Sequence, residues 1–299
     1  MKALVVVNGF IGDCLFASSV AKGLKEKMGY LQVDYLIQVV QPRFLLEADP
    51  WIDKVYWVND DSGPTLEYDN VIQLGAIQQD RPVTIQYQEQ AGLSEQELAY
   101  KVNTVQLYDF KAQRKLNELT NQYPSKVIAF QANWEEKSFR FTKEEYWRGV
   151  DVPYKGYGGS LRDTNVIKQI LLRKFIVIEV GFPIGVSQQV PIAIDPYKFA
   201  ADASVIKVCD YMVGGEGGLT NLSAGIGTKT IITSDYIAQL YGPNGVLKKF
   251  KEPKMGPTTY FPDAGHSLLN PYLSDEEVGV HITNIIDSDV PEVFQWTGM

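Results

Sequence analysis

Two cysteines and two histidines in 299 residues leave little with which to build metal or redox chemistry. Cys14 and Cys209 stand one in each half of the chain, so no disulfide framework is indicated, and two His plus two Cys offer no zinc-ligand spacing. His266 and His281 lack partners at ligand spacing and read as structural. Positive charge is also scarce: 28 Lys and Arg against 36 Asp and Glu give a formal charge of −8. That balance excludes a non-specific nucleic-acid binder, because a phosphate backbone is held by a basic surface. The densest cationic stretch, Lys248-Lys249-Phe250-Lys251, reads as a solvated loop. No apolar run is long enough to cross a bilayer, and the five-residue run Ala3 to Val7 is too short for the apolar centre of a signal peptide. No basic amphipathic helix marks a strong membrane anchor. The expected compartment is the cytosol.

Two glycine-rich turns stand in matching positions of the two halves. Gly9-Phe10-Ile11-Gly12-Asp13 follows the run Ala3 to Val7, and Gly214-Gly215-Glu216-Gly217-Gly218 follows Tyr211-Met212-Val213. A strand, a glycine turn and a helix start form a site for an anion, since unpaired N–H groups point outward and the helix dipole favours negative charge. The first turn does not read Gly-x-Gly-x-x-Gly, so the dinucleotide fingerprint is not met. Asp13 has two readings: N-cap of a helix from Cys14, or a general base facing a cleft. Four glycines in five residues are costly in backbone entropy, for which close approach of a ligand is a good reason and a tight packing turn the alternative. Glu216 suits ribose hydroxyls or the first turn of a helix, and Thr220 and Asn221 can donate to phosphate.

The pattern between the turns is strand–helix alternation, which points to parallel sheets with right-handed crossovers. Strands are expected at 2–7, 33–39, 54–58, 70–74, 126–131, 175–180, 211–213 and 230–233. Helices are expected at 14–28, with Leu15, Val20, Leu24 and Met28 on one stripe, and at 42–48, 94–102, 110–120, 165–173, 195–208, from Leu219, and 274–286. Ser94 to Glu97 and Ser274 to Glu277 both fit capping boxes. Residues 76–125, rich in Gln, Glu and Lys, read as a connecting region on the acceptor side. Two Rossmann-like domains follow, 1–122 and 123–299, facing one ligand across a cleft.

Several weaker motifs are set aside. Gly156-Tyr157-Gly158-Gly159-Ser160 has no apolar strand before it and reads as a loop. Asp287-Ser288-Asp289 matches the Asp-x-Asp of metal-dependent sugar transferases but follows the last helix with no strand ahead of it. Asp60-Asp61 resembles a metal site even less, and Ser18, Ser19 and Ser223 lack a nucleophile-elbow context. Lys137 and Arg140 follow the strand ending at Gln131, where a cation can neutralise a departing diphosphate or simply sit on the surface.

The residues from Met1 to Val58 resemble glycosyltransferase family 9, the lipopolysaccharide heptosyltransferases. The likeness covers the opening strand, Gly12-Asp13-Cys14-Leu15, Leu24-Lys25, Asp34-Tyr35-Leu36, Pro42-Arg43, Leu45-Leu46-Glu47 and Ile52-Asp53-Lys54-Val55. A second stretch, Ile206 to Gly242, resembles the family's donor-binding turn through Gly215 to Ala224 and Gly227-Thr228. The two together span about a third of the chain.

The resemblance implies an α/β GT-B fold of two Rossmann-like domains, in which the last helix can cross back to the N-terminal domain. It implies inverting, metal-independent transfer from a nucleotide-diphospho-sugar, such as ADP-heptose, with no resident cofactor. Asp13 takes the place of the family's proposed base, and Gly215, Glu216, Gly217, Gly218, Leu219, Thr220 and Asn221 that of its donor turn. Gly9, Phe10, Ile11 and Gly12 line the acceptor side, with Arg140 or Lys137 as the cation. The acceptor is a glycan, free or lipid-linked, or another hydroxyl, and a lipid-linked acceptor would bring the enzyme to the inner face of the membrane.

The chain departs from the family in having Glu216-Gly217 for Asp then Ser or Thr, and Asn221 for His. The family's Lys-x-Trp-Pro segment is absent, with Phe141-Thr142-Lys143-Glu144 standing nearby. Two other functions stay open. One is a nucleotide-sugar epimerase on the same fold, which two histidines serve poorly; the other is a degenerate, non-catalytic binder of nucleotide sugar or glycan.

Overall fold

The structure is a computed structural model and describes residues 1–9, 11–59, 63–64, 67–75, 83–93, 101–131, 164–181, 196–215, 218–233, 266–270 and 273–292. The capping box at Ser94, the loop from Trp134 to Trp147, the glycines at 156–159, Asp60-Asp61 and the lysines at 248–251 lie outside these residues.

The N-terminal half alternates β1 (Lys2–Val7), α1 (Ile11–Glu26), β2 (Gln32–Ile37), α2 (Arg43–Glu47), β3 (Lys54–Trp57), β4 (Asn70–Leu74), α3 (Val83–Gln90) and α4 (Gln106–Gln122). The C-terminal half follows with β5 (Val127–Gln131), α5 (Thr164–Leu171), β6 (Ile176–Val180), α6 (Pro196–Val208), β7 (Tyr211–Gly214), α7 (Gly218–Ile226), β8 (Lys229–Ile232), β9 (Ser267–Leu268) and α8 (Asp275–Ser288). The strands form two sheets, in the orders β3-β2-β1-β4 and β6-β5-β7-β8-β9. Every pairing among the described strands is parallel, with Val5 of β1 facing both Tyr35 and Ile72. β1, β5 and β7, at the middle of the two sheets, are nearly continuous apolar runs because they are covered on both faces, whereas the inner strand β2 carries the buried Asp34. Val127, Ala129 and Met212 face α6, while Ile128, Phe130 and Val213 face α5 and α8.

Helix α1 departs from the expected single stripe. Ten of its sixteen residues are buried, including Ser18 and Ser19, whose hydroxyls donate back to the carbonyls of Leu15 and Phe16 at 2.7 Å each. The reason is that α1 is covered on two sides. Phe16, Val20 and Leu24 pack with β1 and β2, whereas Leu15 joins Leu219 and Leu222 of α7 in a cluster shared by the two halves. Burying one such leucine is worth about 1.5–3 kcal/mol. Met28, placed on the stripe from sequence, lies beyond the helix and is exposed.

Helix α3 was not anticipated in the connecting region. Val83, Tyr87 and Ala91 recur at fourth positions and all are buried in the N-terminal core. The described part of the expected helix 94–102, Lys101-Val102, is non-helical; Val102 instead donates its N–H to the Gly225 carbonyl of α7 at 2.7 Å.

Helix α8 opens with the expected capping box: Ser274 accepts from the Glu277 N–H at 3.2 Å, and Glu277 accepts from the Ser274 N–H at 2.7 Å. Val278, Ile282 and Ile286 pack with Ile167 and Leu171 of α5 on the C-terminal sheet. Up to Glu292 the packing of this last helix is therefore on the C-terminal half. Its C-terminus is held by cations at the starts of strands. Lys126 donates to the Ile286 carbonyl at 2.6 Å, Lys229 pairs with Asp289 at 2.6 Å, and Lys174 pairs with Asp287. Asp287 and Asp289 thus have structural partners.

His266 stands before β9, and burial pushes its imidazole down from 6.5 to about 4. Its Nδ1 accepts from the Thr230 N–H at 3.2 Å. Neutral in the fold and protonated in the unfolded chain, it makes stability fall as pH drops from about 6.5 towards about 4. From pH 7 to pH 5 the expected contribution is a loss of about 2 kcal/mol. Urea unfolding at the two pH values should show that loss, and His266→Asn, which keeps an acceptor for Thr230, should remove most of it.

Candidate functional site

The site lies where the first turns of α1 and α7 meet. Both helices follow the C-terminal end of a parallel strand, β1 and β7, which is where ligands bind in open α/β sheets. The two turns touch directly. A Cβ on Gly12 would overlap the amide nitrogen of Asn221, and one on Gly218 would stand 3.0 Å from Cγ2 of Ile11. Two helix N-termini with their outward N–H groups are thus brought to one place, a geometry suited to an anion.

Asp13 is the acid at this junction. Helix α1 begins at Ile11, so Asp13 is its third residue and not the residue before the helix, which sets aside the N-cap reading. The carboxylate is half-buried. It lies against the backbone of Gly9, so that a Cβ there would come within 2.5 Å of Asp13 Cγ. On its other side Oδ1 accepts a hydrogen bond from the Tyr87 hydroxyl at 3.2 Å. Tyr87 is wholly buried, and burial first, then the Asp13 charge, push its phenol well above the usual range, so it stays protonated and donates to the carboxylate. Cys14, next in α1, is buried and its thiol is likewise pushed up, chiefly by burial, which leaves it neutral and unreactive. Burial holds Cys209 at about 12 with the same result.

On the α7 side the candidate residues divide. No described atom stands within 4 Å of where a Cβ on Gly215 would be. Thr220 is fully buried, and its hydroxyl donates to the Gly215 carbonyl at 3.1 Å, bracing the turn from within. Leu219 is buried and packs against Gly181 at the end of β6, where a Cβ would be 3.1 Å from its Cδ1. Asn221 is half-buried with its amide turned towards Gly12. Phe10, Lys137, Arg140, Glu216 and Gly217 lie outside the described residues.

Two residues at the site were not found from sequence. Tyr87 comes from the unanticipated α3, and the apolar spacing of Val83, Tyr87 and Ala91 was the available signal. Gln131 ends β5 beside β7, and its buried Oε1 has no hydrogen-bond partner among the described residues. A Cβ on Gly214 would come within 2.5 Å of that oxygen. No group of three or more His, Cys, Asp or Glu side chains that could hold a metal ion occurs among the described residues, and no helix among them is long and apolar enough to cross a membrane.

No protein-family model matches the chain, and no curated protein sequence matches it. Solved structures do. The ADP-heptose lipopolysaccharide heptosyltransferase II of E. coli is 12% identical, with a TM-score of 0.54 over 97% of this chain and 99% of that one. A glycosyl transferase family 9 protein from Veillonella parvula is 15% identical, with a TM-score of 0.55 over 95% of this chain and 90% of its own. The E. coli heptosyltransferase WaaC, solved with ADP, is 12% identical, with a TM-score of 0.52 over 96% and 98%. These likenesses run the length of the chain, and the fold is the two-sheet α/β arrangement of GT-B proteins.

Proposed function

We propose that the protein is an inverting, metal-independent glycosyltransferase that moves a sugar from a nucleotide-diphospho-sugar, ADP-heptose or a relative of it, to a hydroxyl of a glycan or lipid-linked glycan. The observation that carries this reading is the contact of the two glycine turns, which brings the first turn of α1, with Asp13 as its third residue, against the first turn of α7. The likeness in fold to heptosyltransferases, one of them solved with ADP, supports it.

In the proposed reaction Asp13 takes the proton of the acceptor hydroxyl as its oxygen attacks the anomeric carbon. The bond from that carbon to the diphosphate oxygen breaks, the new glycosidic bond forms on the opposite face, and nucleoside diphosphate departs. Its negative charge is met by the N–H groups at the start of α7, beside Gly215, around whose Cβ position no described atom lies within 4 Å. Lys137 or Arg140 supplies the cation. Closure of the two halves on the ligands would exclude water. The reaction is placed in the cytosol, at the inner membrane face when the acceptor is lipid-linked.

A thermal-shift panel of ADP, UDP, GDP, CDP and their common sugars, with and without magnesium, tests this. A ligand at 100 times its dissociation constant adds about 2.7 kcal/mol, which raises the melting temperature readably. One diphosphate giving the shift, unchanged by magnesium, is the expected result. Conversion of the donor sugar with no acceptor present would identify an epimerase instead. Binding with neither transfer nor donor hydrolysis would identify a binding protein, and no shift from any nucleotide would remove the donor site.

A further inference from the structure

Resting on the transferase reading, we infer that Tyr87 is a positioning residue for Asp13, holding the carboxylate in the orientation from which it takes the acceptor proton. Its ring is fixed in the N-terminal core with Val83 and Ala91, which leaves its hydroxyl one place to be, 3.2 Å from Asp13 Oδ1. The opposite side of the carboxylate is bounded by the backbone of Gly9. Asp13 is thus gripped between a rigid donor and a residue without a side chain. The donor keeps its own proton because burial and the neighbouring charge hold the phenol neutral, so it orients the base without competing for the proton being moved. Cys14, next in α1, also senses the Asp13 charge, and its buried thiol is neutral. The first turn of α7 brings Gly218, Leu219, Thr220 and Asn221, none of which titrates.

A purely structural tyrosine and a positioning tyrosine differ in what their loss does. Removing a hydroxyl that only satisfies the core lowers the melting temperature and leaves turnover alone. Removing one that aims the base lowers kcat and leaves donor binding alone, and its effect disappears once the base is gone.

The experiment uses the full chain and the nucleotide sugar whose diphosphate shifts melting most. Nucleoside diphosphate release is followed with water and with truncated lipopolysaccharide as acceptors. Tyr87→Phe should lower kcat about tenfold with donor KM within about twofold. The double variant Asp13→Asn with Tyr87→Phe should be no slower than Asp13→Asn. Full turnover in Tyr87→Phe, or a further drop in the double variant, overturns the proposal while leaving the transferase reading intact. Full turnover in Asp13→Asn removes the base and Tyr87's role with it, and wild-type protein that turns over none of the nucleotide sugars removes the transferase reading and the proposal together. Should Tyr87→Phe fail to fold, 3-fluorotyrosine at position 87 keeps the hydroxyl and the shape. Its fluorine resonance should move on Asp13→Asn, and a resonance that stays put overturns the proposal.

Discussion

Asp13→Asn is expected to lower transfer by about 10³-fold, within the range that a positioned general base contributes, while nucleoside diphosphate binds as tightly as before or tighter. The two halves of that expectation come from different physics. Asparagine keeps the size and planarity of the side chain and can still accept from Tyr87, so the junction of α1 and α7 stays assembled. What it loses is the capacity to take a proton. It also loses a negative charge in the first turn of α1, the turn that meets the start of α7 where the diphosphate is proposed to sit, so donor affinity should hold or rise. Stability should fall only by the favourable term of an acid in the first turn of a helix, about 0.3–1 kcal/mol. Paired kcat and isothermal binding measurements separate these effects. An Asp13→Asn protein that transfers sugar at the wild-type rate would sink the base assignment outright.

Sequence legibility followed the range of the interactions. β1 has the expected bounds, 2–7, and the α8 capping box is as expected, because each depends on its own segment: an apolar run between polar flanks, or a Ser and a Glu three apart. Helix α1 was found but its burial was misread, since a stripe expected from a helix on one sheet has no means of announcing the second partner, α7, two hundred residues on. Asp13 was singled out, yet its environment was not, for the same reason. Tyr87 belongs to a helix whose polar composition, with four glutamine or glutamate residues among eight, outweighs the spacing of its apolar positions. The placement of Gln131 against Gly214 is a property of the sheet order β6-β5-β7, which no local pattern encodes.

Gly9→Ala carries the next largest expectation, a fall in kcat of about 10²-fold with donor KM little changed, the cost of moving a reacting group by about 1 Å. The backbone at Gly9 has no positive φ, so alanine meets no conformational strain of its own. The obstacle is Asp13. The new methyl would stand within 2.5 Å of both its Cβ and its Cγ, and the Cβ is too close to the backbone for a change of rotamer to clear it. The first turn of α1 has to shift, moving the carboxylate out of the position it holds between Gly9 and Tyr87. Gly215→Ala adds the same methyl to the other turn, into a space with no described atom within 4 Å, so the fold should tolerate it and gain about 0.4–1 kcal/mol from a less flexible unfolded chain. If that space receives the diphosphate, Gly215→Ala should raise donor KM and spare kcat, the reverse of Gly9→Ala. Steady-state kinetics on the pair therefore assigns each turn its role: opposite splits support a base on α1 and a donor cradle on α7, whereas a shared loss of kcat would place both turns around a single reacting group.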